Sequence, residues 1–262
     1  MPVRPDSAAC EPTPQHNVRG YASWMLDDID AAAFGTRPGR ADLPPARTDH
    51  DRWLRAVALG GQGRYAAARA ELQHLRAAAD PDLRSQASST YGSLLRQLGW
   101  HRLATRYDGR AAALAVGPGA ACDALTGLAA DALGAGRLAL SQRLLERVEP
   151  DDWRTEIRRD WVRAELQLAR GNAGAALDCA ERAQSRKCPS LRHRIKSALL
   201  VAAARTAAGA TDAPDRARAV LADASANQLI PLRWAAAMLL GDAEIAASSR
   251  AWIERSGGKF SG

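Results

Sequence analysis

Aromatic residues are scarce: tryptophan, tyrosine and phenylalanine make up 5% of the 262-residue chain, and phenylalanine occurs only at Phe34 and Phe260. β-Branched strand formers are also few, which argues against a sheet protein. Lysine is nearly absent too, at Lys187, Lys196 and Lys259 only, so the net charge of +7 is carried by arginine. The four cysteines, Cys10, Cys122, Cys179 and Cys188, show no CxxC spacing. That excludes a disulfide framework and leaves reduced thiols of a cytosolic protein as the expectation. The N-terminus has prolines and acids where a signal peptide needs an apolar run. No stretch approaches the roughly 18 apolar residues of a membrane span. A cytoplasmic protein that does not enter a membrane is expected.

Catalytic motifs are missing as well. There is no GxGxxG after a strand, no P-loop, no GxSxG and no HExxH. His16, His50, His74, His101 and His193 are dispersed. No catalytic residue, metal or cofactor is expected, and the chain reads as a non-enzyme. "DHD" at Asp49–Asp51 stands where a helix begins, so Asp49 is the expected N-cap rather than a metal ligand. "LDDID" at Leu26–Asp30 reads as a solvated acidic face.

What is present is alanine and leucine, the strongest helix formers of a 47% hydrophobic composition. Residues 1–19 form a polar, proline-rich tail expected to be disordered. Tyr21–Phe34 reads as an amphipathic helix that caps the following array through Trp24 and Met25, and Gly35–Asp49 as a loop; together residues 20–50 are a cap and its connection. From Asp51 onward helical segments are broken by glycines roughly 36 residues apart, at Gly63, Gly99, Gly136 and Gly171, with weaker copies at Gly209 and Gly241. After each glycine comes a small residue, Ala68, Ala104, Ser141, Ala176, Ala217 or Ala246. The glycine ends one helix where φ > 0 is needed. The small residue marks a close helix crossing, where a larger side chain would push the helices apart. Residues 51–256 are therefore read as a helical repeat domain, and 257–262 as a flexible end.

The copy with Leu125, Leu128, Ala129, Gly136, Leu138, Ser141 and Leu145 resembles the tetratricopeptide repeat family, as do Tyr91, Gly92, Leu95, Gly99 and Ala104. Trp53 and Trp161 resemble the family's opening tryptophan, each one residue out of register. Pro81, Pro118, Pro150 and Pro189 loosely match its closing proline. Related helical arrays of bacterial regulators are similar. The resemblance implies an all-α, α–α solenoid of about five to six helix pairs in a right-handed superhelix. It also implies a scaffold or adaptor that grips a peptide or helix of a partner protein.

Charge places the expected grip. The net balance is −2 over residues 1–50, +4 over 51–150, +5 over 151–210 and zero afterwards. The candidate partner-binding residues are Arg158, Arg159, Arg163, Arg186, Lys187, Arg192, Arg194 and Lys196. An acidic peptide or helix is the expected partner, with a nucleic-acid-associated regulator as the alternative. Cys179 and Cys188 flank this stretch, where arginines would favour a thiolate. The tryptophans are read chiefly as packing between helices.

Overall fold

A computed structural model describes residues 28–261. The tail, Cys10, His16, Trp24, Met25 and the first part of the expected capping helix lie outside the described residues. Every regular element among the described residues is helical. α1 covers residues 28–33. Six hairpins follow: α2 (Asp49–Gly61) with α3 (Tyr65–His74), α4 (Pro81–Arg96) with α5 (His101–Leu114), α6 (Pro118–Gly134) with α7 (Leu138–Glu146), α8 (Trp153–Ala169) with α9 (Ala173–Ser185), α10 (Leu191–Ala207) with α11 (Ala213–Ala226), and α12 (Ile230–Leu240) with α13 (Ala243–Arg255). A single 3-10 turn, Leu75–Ala77, ends the first hairpin. Among the described residues no helix is long and apolar enough to cross a membrane.

Local chemistry sets the helix ends. Gly63, Gly99, Gly136, Gly171, Gly209 and Gly241 all have φ between 70° and 84°. After each, the next backbone N–H reaches back five residues, as in Arg64 N to Leu59 O at 2.9 Å and Arg137 N to Ala132 O at 2.8 Å. This bond satisfies a carbonyl that the finished helix leaves open. Side chains cap the starts of α2, α4, α8, α10 and α13. Thr48, rather than Asp49, caps α2: its Oγ1 accepts from Asp51 N at 3.1 Å, while the Asp51 carboxylate accepts from Thr48 N at 3.0 Å. Asp49 occupies the first helical position and adds charge near the positive end of the helix dipole.

The even-numbered helices form an inner row, each touching the next from α2 to α12. The odd-numbered helices α3 to α13 pack outside, each against its flanking inner helices. Ala68, Ala104, Ser141 and Ala176 are fully buried at the crossings, and Ala217 and Ala246 are buried too. That is the steric demand the glycine-to-small-residue spacing predicts. The tryptophan contacts also recur: Trp53 Nε1 donates to Thr90 Oγ1 at 3.0 Å, and Trp161 Nε1 to Ser197 Oγ at 2.9 Å, each on the next inner helix.

The row closes on itself. Ile230 of α12 and Ile253 of α13 share one core with Trp53, Leu59, Tyr65 and Leu72 of the first hairpin. The expected flexible end is instead anchored across this seam through residue 261. Ala66 N donates to Ser256 O, Arg69 Nη2 to Gly257 O, Trp100 Nε1 to Lys259 O and Ser261 N to Leu98 O, at 2.6–2.9 Å. Phe260 packs on Trp234 with ring centroids 5.2 Å apart. Backbone carbonyls supply most of this grip, which leaves no hydrophobic pattern in the sequence.

The segment from α1 to α2 spans the interior. Gly35 O accepts from Leu191 N of α10, and Gln62 Nε2 donates to Pro38 O and Arg40 O. Phe34 reaches Trp53, Trp153 and His193, which belong to three different hairpins. Asp28, expected on a solvated face, is buried and paired with Arg37 and Arg40.

Candidate functional site

The inner helices surround a cavity of about 500 Å³, with Phe34 among its lining residues. α8 presents Arg154, Arg158, Trp161 and Glu165 to it, a spacing that keeps all four on one helical face. α10 adds Arg192, His193 and Lys196, α4 adds Arg96, and α6 adds Asp123. Five cations thus meet two carboxylates on the cavity wall.

Most of these cations have partners. Asp123 accepts from Arg154 Nη1 at 2.7 Å and lies 3.1 Å from Arg158 Nη1. Lys196 Nζ lies 3.6 Å from Glu165 Oε1 and 4.5 Å from the Trp161 ring centre. Arg96 Nη1 donates to Asp131 Oδ1 at 2.9 Å and is paired with Asp108. The Asp108 carboxylate is wedged between α4 and α6, where Gly92 and Gly127 face it. A Cβ on either glycine would collide with it. Two buried carboxylates then share one guanidinium. Burial and the Asp108 charge push Asp131 up to about 7, against the opposing pull of Arg96.

Arg192 differs. Its stem lies over Gly61 of α2, where a side chain would obstruct it. Among the described residues no carboxylate pairs with it, and its Nε is buried there without a hydrogen-bond partner. Burial, with Arg158 and Arg154 nearby, lowers it to about 10, so it stays charged at neutral pH. His193 is held neutral by burial and by Arg192, Arg158 and Arg154. It stacks on Trp161 with ring centroids 5.0 Å apart and shares a hydrogen bond with Ser190 Oγ at 2.8 Å. The wall therefore combines a cation without a counter-ion, a neutral imidazole and indole faces.

Of the eight sequence candidates, Arg158, Arg192 and Lys196 meet at this cavity. Arg159, Arg163 and Arg186 instead gather on Asp160, which is buried, and Arg186 also pairs with Glu156 at 2.6 Å. Lys187 and Arg194 are exposed. The candidate list missed Arg96, which lies outside the most basic segment (151–210), and Arg154, which lies inside it. The signal for Arg154 was its place four residues before Arg158 and seven before Trp161. Burial pushes the Cys179 and Cys188 thiols up, outweighing the nearby arginines, although Arg182 Nη2 donates to Cys179 Sγ at 2.9 Å. Among the described residues no three His, Cys, Asp or Glu side chains form a group that could hold a metal ion.

No protein-family model matches the chain, and no curated protein matches it.

Proposed function

We propose that this protein is a non-catalytic, tetratricopeptide-like binding module of the cytoplasm. Its inner helix row takes an acidic segment of a partner protein into the central cavity. The observation that carries this reading is Arg192, a charged guanidinium at the cavity wall with no carboxylate partner among the described residues. A buried cation without a counter-ion is costly, and an incoming carboxylate relieves that cost with a charge-assisted, bidentate hydrogen bond. Arg158 and Lys196 add to the positive potential, and Trp161 and Trp53 supply flat apolar walls. The repeated hairpins fit the tetratricopeptide-like solenoid, with six pairs at the upper end of the expected number.

Cavity size selects the form of the ligand. An α-helix about 10 Å across fills roughly 420 Å³ per turn, so a cavity of about 500 Å³ holds little more than one turn. A short extended acidic segment, or an acidic chain terminus, is the better fit. Titration calorimetry with hexaglutamate and with hexaglutamine tests this. Binding of hexaglutamate alone, weakened about tenfold or more by Arg192→Met, is expected. Equal affinity of wild type and variant, or no heat from hexaglutamate at millimolar concentration, would refute the assignment.

A further inference from the structure

A second cleft lies on the outside of the first two hairpins, with a volume of about 360 Å³. It has no part in the central cavity. α4 presents Arg84, Ala87, Ser88 and Tyr91 to it, and α5 presents Leu103, Arg106, Tyr107 and Arg110. Both sets have the spacing i, i+3, i+4, i+7, so each is one continuous helical face. Leu72 and Leu75 form an apolar floor, and Arg76 enters from the 3-10 turn.

The chemistry of this cleft is lopsided. None of the ion pairs among the described residues includes Arg76, Arg84, Arg106 or Arg110. The Arg84 Nε is buried with no hydrogen-bond partner. Asp108, the one acid of α5, turns inward to Arg96. Arg106 and Arg110 stand one turn apart with nothing to offset their repulsion. Between these cations, Tyr91 and Tyr107 stack with ring centroids 4.3 Å apart and planes 14° apart.

We propose that this cleft binds a nucleoside phosphate. Guanidinium groups match phosphate oxygens bidentately, and four converge here from three elements. The tyrosine pair and the leucine floor offer a planar base an aromatic and apolar surface beside that phosphate site. The volume admits one nucleotide and not a folded peptide. The same chemistry comes from two sources, a free nucleotide or one nucleotide of a single-stranded nucleic acid.

The test uses full-length protein with adenosine monophosphate, inorganic pyrophosphate and a short fluorescein-labelled DNA single strand. The variants are Arg106→Ala/Arg110→Ala, Tyr107→Leu and Arg192→Met. Arg106 and Arg110 are exposed, so their removal spares the fold, and circular dichroism checks the tyrosine variant. The arginine variant is expected to weaken all three ligands about tenfold or more. Tyr107→Leu should weaken the nucleotide and the strand but not pyrophosphate, and Arg192→Met should change none. Tight strand binding without mononucleotide binding assigns the source to nucleic acid, and the reverse assigns it to a free nucleotide. Absence of binding to both, or affinities that the arginine variant leaves intact, overturns the proposal. If Tyr107→Leu weakens nothing, the cleft is an anion site and the nucleoside assignment falls. Any of these results leaves the hexaglutamate experiment to stand or fall alone.

Discussion

Replacing Arg192 by methionine should make the ligand-free protein more stable while weakening its proposed ligand binding about tenfold or more. Burial lowers the guanidinium by more than two units, to about 10. At 1.36 kcal/mol per unit, that gap corresponds to about 3 kcal/mol against the charged form in the folded state. The side chain is only partly buried, and water reaching its outer edge reduces the penalty, so about 2 kcal/mol is expected. Methionine keeps an unbranched apolar stem over Gly61, and little packing is lost. For a chain of this length, about 2 kcal/mol raises Tm by roughly 4–8 °C. The sign with pH is fixed by the same depression: the unfolded state holds this proton more tightly. The penalty is therefore complete below pH about 10 and fades above it, as the folded state loses the proton that the unfolded state still holds. At neutral pH it is measured in full. The assay is urea unfolding followed by tryptophan fluorescence, in a buffer free of phosphate and sulfate. Adding hexaglutamate should close the gap by stabilising only the wild type. A variant less stable than wild type by more than about 1 kcal/mol would show that the charge is satisfied in the folded, ligand-free protein. That result would remove the reason to expect an acidic ligand.

Five further substitutions probe the frame around the cavity. Ala104→Leu places three extra carbons at a fully buried crossing between α4 and α5 and should cost about 1–3 kcal/mol in chemical denaturation, with the helical dichroism retained. Gly136→Ala, at φ 74° with open space around the new Cβ, should cost only the left-handed strain of about 1 kcal/mol. Gly99→Ala should cost more because its Cβ meets the Ser261 side chain, and Ser261→Gly should recover the difference in a double-mutant cycle. Asp131 is raised to about 7, so the folded state holds a proton that the unfolded state releases near pH 4. Stability should therefore fall as pH rises from about 4 to 7, and Asp131→Asn should flatten that slope in urea midpoints taken across the range.

The helix boundaries were legible because glycine and small residues act locally. A left-handed turn at Gly136 and a crossing at Ser141 leave marks a few residues apart, wherever the rest of the chain lies. The seam was not legible, since Gly257 meets Arg69 through a backbone carbonyl. The basic cavity wall was half legible. Charge density found Arg158, Arg192 and Lys196, but it could not separate them from Arg159, Arg163 and Arg186, which share the same stretch and face Asp160. Which side of α8 an arginine occupies depends on its turn of the helix, and net charge does not carry that phase. Asp28 was misread for a related reason. Its partners, Arg37 and Arg40, lie across a loop from it, and their approach depends on the loop's course.

An open row of helix pairs grows or shrinks by whole pairs, because each pair touches only its neighbours. The seam between α13 and the first two hairpins removes that freedom. One more pair would carry Ile230 and Ile253 away from Tyr65 and Leu72, and one fewer would leave them short of it. Closure therefore acts as a counting device that ties the number of pairs to the stability of both ends at once. Gene-level duplication of a pair, harmless in an open array, would here split the core that joins the ends.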